Sequence, residues 1–200
     1  MKKLFASAVV LVTVFVLSAC SVPKQNSSAR TNGLNCAFSA EMSVTIDKFS
    51  GEASVKRLGD SSWSVEFETP NTLSGVTLTF DAGNAEASYK GLSFSVPRSA
   101  LPVKAMMLNL MDAVDSAAKL PELKGEDKDG MMLINGSLES GDYTITVDPE
   151  GRLAAFDMPN NQLSMKFREL TLISTSVYTD PSEEASTEEA TEDNSTTDSE

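Results

Sequence analysis

The feature that most constrains this chain is a period-two alternation of apolar and polar residues, repeated along most of its length and broken once. Trp63, Val65 and Phe67 alternate with Ser64, Glu66 and Glu68. Val76, Leu78 and Phe80 repeat the pattern, as do Phe38, Ala40, Met42, Val44 and Ile46. Successive side chains of a strand point to opposite faces, so such segments build a sheet with one face on a core and the other in water. Turn-forming residues separate them: Asp60-Ser61, Pro70-Asn71, Gly83-Asn84, the Asp-Pro-Glu-Gly run at 148–151, and Asn160-Asn161. Gly91 shifts the phase and marks a bend or bulge. A further phase shift near Arg168-Glu169 predicts a bulge there. The expectation is nine or ten antiparallel strands.

The break lies at residues 99–120. Val103, Met106, Met107, Leu110, Met111, Val114, Ala117 and Ala118 recur at helical spacing, opposite Lys104, Asn109, Asp112, Asp115, Ser116 and Lys119. Pro102 suits the first turn, and Pro121 ends the helix. Neither an amphipathic helix nor a one-sided sheet is stable alone in water, so this helix must cover the apolar side of the sheet. The predicted class is therefore mainly β (α+β): a strongly curved antiparallel sheet covered by one amphipathic helix.

The N-terminus follows a different logic. Lys2 and Lys3 precede an uncharged run, residues 4–17, that is shorter than the roughly 20 apolar residues needed to span a bilayer. This is the layout of a secretory signal. It ends in Leu17-Ser18-Ala19-Cys20, which resembles the lipobox of bacterial lipoproteins at all four positions. That resemblance implies a diacylglyceryl group on the Cys20 sulfur and cleavage before it. Residues 1–19 are then a signal peptide, and the protein is held at the extracytoplasmic face of the cell membrane. With Cys20 committed to lipid, Cys36 has no partner for a disulfide. Its phase with Phe38 and Ala40 predicts a small buried hydrophobe.

Composition sets the remaining boundaries. Residues 20–32 are polar and read as a lipidated tether, and residues 33–178 as the β-rich domain. Residues 179–200 hold nine acidic side chains and no basic ones, an acidic segment expected to be disordered. The chain has 16 basic and 29 acidic residues, and loss of Lys2 and Lys3 leaves 14 against 29. Such a surface excludes nucleic acid as a partner. No histidine occurs in the sequence, which removes the commonest general base and metal ligand. No nucleophile elbow or phosphate-cradling glycine loop is present. The run Gly125-Glu126-Asp127-Lys128-Asp129-Gly130 lacks the closing glutamate of a calcium loop and reads as a polar turn. The expectation is a non-enzyme without metal or cofactor.

The strand, Asp-Pro-x-Gly turn, strand, short turn, strand cadence of "YTITVDPEGRLAAFDMPNNQLSMKFREL" resembles the LolA/LolB family of bacterial lipoprotein carriers and receptors. The resemblance implies an unclosed barrel that holds acyl chains beneath a helical cover. Methionine thioethers adapt to irregular apolar shapes, in a core or around a ligand. The candidate hydrophobic ligand residues are Met106, Met107, Leu110, Met111 and Val114 on the helix, with Trp63, Phe67 and Phe80 on strands. Two functions stand side by side: a membrane-anchored lipoprotein binding or shuttling an acyl or lipid ligand, and a surface lipoprotein docking another envelope protein.

Overall fold

The computed structural model describes residues 27–81, 83–101 and 105–174. The leader, Cys20 and residues 179–200 lie outside this set, as do Pro102, Val103 and Lys104 of the expected helix. Twelve strands form one sheet: β1 (Ser27–Thr31), β2 (Phe38–Ile46), β3 (Phe49–Gly59), β4 (Ser62–Thr69), β5 (Thr77–Asp81), β6 (Asn84–Tyr89) and β7 (Leu92–Pro97) precede a helix, α1 (Met106–Ala118). The strands β8 (Glu122–Lys128), β9 (Met131–Leu138), β10 (Gly141–Val147), β11 (Leu153–Met158) and β12 (Leu163–Leu172) follow it.

The order across the sheet is β1-β8-β9-β10-β11-β12-β2-β3-β4-β5-β6-β7, antiparallel throughout. The chain thus draws two meanders and joins them at the centre, where β12 pairs with β2. The outer strands β1 and β7 do not pair, so the sheet is unclosed. Helix α1 carries the chain from the β7 edge to β8, beside the opposite edge.

That crossover shows the curvature. Twelve strands at about 4.8 Å spacing would span roughly 50 Å if flat, whereas the 13-residue helix is about 20 Å long. Yet the residues just after α1 meet Asn32, next to β1, and its first residues line one groove with residues of β5 to β7. Only a strongly bowed sheet brings both edges to so short a rod.

The alternating residues fill the concave side. Phe38, Met42, Val44, Val55, Trp63 and Val65 are buried there from one half of the sheet. Met132, Ile145, Val147, Phe156, Met158 and Met165 are buried from the other. Between them sit Leu110, Met111 and Val114 of α1, all fully buried.

The structure departs from the expected elements in several places, each with a local cause. Two strands were illegible. β1 lies within the expected tether 20–32, because its Ser-Ser-Ala-Arg-Thr sequence carries no apolar alternation. What holds it is backbone pairing with β8 and the Arg30 guanidinium, which ion-pairs with Asp127 and donates to the backbone oxygens of Asp148 (2.8 Å) and Gly130 (3.0 Å). β8 takes in Gly125–Lys128 of the run expected as a polar turn, which leaves only Asp129 and Gly130 to turn the chain. Only Leu123 among its seven residues is buried, so the period-two signal is missing. Gly125 lies where an added methyl would strike the Leu133 carbonyl.

Gly91 does not bend one long strand; Lys90 and Gly91, both at positive φ, reverse the chain into a hairpin. Asp129 and Gly130 do the same between β8 and β9. Two-residue loops with positive φ at both positions match the natural twist of paired strands. The expected bulge is present, since the β12–β2 register shifts between Arg168 and Thr171 and Glu169 has φ 53°. Cys36 is exposed, not buried: a short 3-10 turn at Gly33–Asn35 ends there and β2 begins only at Phe38.

Candidate functional site

An apolar groove of about 410 Å³ lies between the first turn of α1 and the β5–β7 end of the sheet. Leu78 and Phe80 of β5, Ala85 and Ala87 of β6, and Phe94 and Val96 of β7 form its sheet wall. Leu101, Ala105, Met106 and Met107 form the other wall. Every lining residue except Glu86 is apolar, and the volume falls within the roughly 300–1,000 Å³ of small-molecule sites.

The local sequence explains the space. β6 presents alanines at the two positions where the central strands place Met, Val or Phe, so the helix and sheet cannot meet there at core density. Along the edge strand β7, Leu92 and Phe94 are 76% and 68% exposed. No charged residue lies within β7, whose edge faces no other strand among the described residues.

The candidate ligand residues divide between this groove and the core. Met106, Met107 and Phe80 line the groove. Leu110, Met111 and Val114 pack beneath the middle of α1 with Trp63 and Phe67, away from the groove lining. Met107 is nonetheless nearly sealed, at 3% exposure. Leu78, Ala85, Ala87, Phe94, Val96, Leu101 and Ala105 complete the lining without having been singled out. The small size of Ala85 and Ala87 was the available signal.

The helix face expected to be wet is partly dry. Asp115 is 5% exposed and Asn109 is 3% exposed. Arg57 Nε donates to Asp115 Oδ1 at 2.9 Å, while Trp63 Nε1 and the Ser61 backbone N–H donate to Oδ2 at 3.1 and 2.9 Å. Arg57 also donates to the Cys36 carbonyl at 3.1 Å and lies near the Trp63 ring. A buried carboxylate is tolerable only when paired and saturated with donors, and this one is. The helix C-terminus is held as firmly: Asn32 Nδ2 donates to the backbone oxygens of Ala117 and Leu120 at 2.8 and 2.7 Å, tying the end of the helix to the chain after β1.

These contacts clamp the C-terminal half of α1 to β3, β4 and the chain after β1. The N-terminal half has a weaker anchor. Ala105 precedes the first turn and provides no side-chain cap, and the Arg98–Asp112 ion pair is partly exposed. Asn109 accepts from the Ser140 hydroxyl at 2.7 Å through Oδ1, but its buried Nδ2 has no acceptor among the described residues. An unpaired buried donor costs about 1–3 kcal/mol. The apolar groove therefore opens beside the less tightly secured end of the helix.

Charge is distributed away from the groove. On the outer face of β2, partial burial and the neighbouring carboxylates of Glu68 and Glu169 raise the Glu41 pKa above its ordinary value. The neighbouring Ser28 hydroxyl and then the Arg30 guanidinium hold Asp127 below the usual carboxylate range. Burial raises Tyr143. No cluster of metal-ligating side chains occurs among the described residues, and no described helix is long and apolar enough to cross a membrane.

No family model matches the chain, and no curated protein matches it in sequence. Solved structures do. The crystal structure of an uncharacterized conserved protein from Thermus thermophilus aligns over 72% of this chain and 82% of its own, at 14% identity and a TM-score of 0.48. A LolA superfamily protein from Nitrosomonas europaea aligns over 70% of this chain and 66% of its own, at 9% identity and TM-score 0.28. A domain described as an outer membrane lipoprotein-sorting protein, from Vibrio parahaemolyticus, aligns over 73% and 88%, at 10% identity and TM-score 0.34. At TM-scores below 0.5 these likenesses carry no function across to this chain.

Proposed function

We propose that this protein is a lipoprotein of the cell envelope, anchored at the extracytoplasmic face through Cys20, that binds or shuttles an acyl or lipid ligand in the groove beside α1. The observation that carries the reading is the groove itself: about 410 Å³ of space with an almost wholly apolar lining, at the end of the helix with the weaker anchoring. Each methylene moved from water into it contributes about 0.8 kcal/mol, so an acyl chain has a large drive to enter. The lipobox-like Leu17-Ser18-Ala19-Cys20 supports the anchor, since two acyl chains hold a protein durably where one does not. Binding rather than catalysis suits a chain with no histidine.

Two measurements test this reading. Cells fed a palmitate analogue should label the protein, and Cys20→Ser should remove the label. Mature chain carrying Cys20→Ser should bind a fluorescent fatty acid and yield lipid in native mass spectrometry. Absence of both signals at micromolar protein overturns ligand binding.

The exposed Leu92 and Phe94 on the β7 edge favour a second reading, in which the same end of the sheet docks another envelope protein. Crosslinking from position 94 in native membranes that captures one stoichiometric partner, with no bound lipid recovered, would favour docking over carriage.

A further inference from the structure

The apolar lining does not stop at the groove. Directly paired residues share a face of the sheet, and the register sets three rows side by side. Phe80, Ala85 and Val96 form the first, Leu78, Ala87 and Phe94 the second, and Tyr89 and Leu92 the third, at the β6–β7 turn. Exposure rises along them: Phe80 is 4% exposed, Phe94 68% and Leu92 76%. An apolar track therefore runs out of the groove onto open surface. It ends at Tyr89, over whose ring the Lys90 ammonium lies at 5.0 Å. An aromatic ring, a lysine and large apolar side chains at one chain reversal are residue types that settle at a membrane–water interface.

Charge selects the same partner. The sequence holds 29 acidic residues, yet none falls within residues 69–80 or 87–111, and the second stretch carries Lys90, Arg98 and Lys104. The two stretches meet at one end of the sheet, where Thr77 pairs with Ser88 and Tyr89 lies beside Gly75. The residues that follow Cys20 are also free of acids, as far as Glu41. Anionic head groups repel an acidic surface, and this end of the molecule is the one from which acids are withheld. The seven residues from Cys20 to Ser27 reach at most about 25 Å. So short a link keeps an anchored domain beside the bilayer at high effective concentration.

We infer that the β6–β7 turn and the β7 edge are a membrane-contact surface. Tyr89, Leu92 and Phe94 seat in the head-group layer of a bilayer containing anionic lipid, and the groove opens onto it. The free backbone groups along β7 need water or head groups as partners, so the edge rests at that depth and not in the hydrocarbon. This rests on the anchored, acyl-binding reading above and adds where the ligand enters.

The test uses the mature chain with Cys36→Ser, coupled through Cys20 to a maleimide phospholipid, so that the anchor is supplied. The vesicles are phosphatidylcholine with one quarter phosphatidylglycerol, the former brominated near the head-group end of its chains. Trp63 is buried and gives a constant background. Leu92→Trp should be quenched at least about twofold more than Leu58→Trp, an exposed position on β3, as befits an indole at interfacial depth. Adding Phe94→Asp, a change on open surface, should abolish the difference, with folding checked by near-ultraviolet circular dichroism. Equal quenching of the two reporters, or a difference that survives Phe94→Asp, overturns the contact. Acyl binding is judged apart, by the fluorescent fatty acid without vesicles, so either reading can fail alone. A photocrosslinker at position 92 in native membranes should give phospholipid adducts. An adduct to another protein, or a dimer of this chain, assigns the surface to that occupant and overturns the inference.

Discussion

Asp115 shows how much a single side chain decides here. It lies on the face of α1 expected to meet water, yet it accepts hydrogen bonds from Arg57, Trp63 and the Ser61 backbone inside the concave side of the sheet. Removing one partner of a buried pair strands the other, at a cost of about 3–5 kcal/mol. Asp115→Ala should lose that much in urea unfolding. Arg57→Leu combined with Asp115→Leu should recover most of it, because no isolated charge then remains. Glu41 gives the opposite case. Its carboxyl sits above its ordinary value of 4.5, owing first to burial and then to Glu68 and Glu169. A raised folded-state value means the protonated form is favoured in the fold, a contribution present below 4.5 and lost as pH rises through the raised value. Glu41→Gln should therefore raise Tm at pH 7 by roughly 1–2 °C, the scale of exposed charge effects. At pH 3.5, where the glutamate is already neutral, the gain should vanish.

At the scale of elements, β1 and α1 depend on each other. β1 offers no apolar side chain large enough to bury, and only five residues pair it to β8. Arg30 reaches from it to Asp127 and to the backbone oxygens of Gly130 and Asp148, and Asn32 just beyond it holds the end of α1. Arg30→Ala should raise amide exchange in Ser27–Thr31 by roughly tenfold with little change in the central strands, as expected of a locally opening edge. The clamp also has a pH limit. Asp127 titrates below its ordinary 3.8 because the Ser28 hydroxyl and Arg30 favour its charged form. Its contribution is present above 3.8 and is lost as the pH falls through the lowered value, so β1 protection should hold at pH 5 and decline in strong acid.

For the whole molecule, the unclosed sheet creates both the stable core and the space within it. The two meanders meet at β12 and β2, where long strands and large side chains fill the interior under the clamped half of α1. Toward β7 the strands shorten, β6 supplies alanines, and the helix loses its firm anchors, so a groove remains. Filling that groove should separate binding from folding. Ala87→Trp places an indole against Phe94 and Met106 on a wall that is only partly buried. It should reduce fatty-acid binding at least about tenfold while Tm shifts by only a few degrees, consistent with occupied space rather than a damaged core. Unchanged binding would place the ligand elsewhere.

The sequence alone determined what repeats: the period-two face that makes strands, the single change to helical period, and the turn residues that reverse the chain. Each of these is encoded within a few neighbouring residues, as in Trp63-Val65-Phe67 or Met107-Leu110-Met111-Val114. Candidate groove residues Met106, Met107 and Phe80 were legible because they are apolar and in phase. Tertiary structure decided everything that depends on residues far apart in the chain. Ser27–Thr31 and Glu122–Lys128 are strands because they pair with other strands. Cys36 is exposed because a 3-10 turn delays β2, and Asp115 is buried because Arg57 waits 58 positions away. The groove itself is a difference between facing surfaces, large against large at the centre and small against large at the edge, and only the folded chain brings those surfaces together.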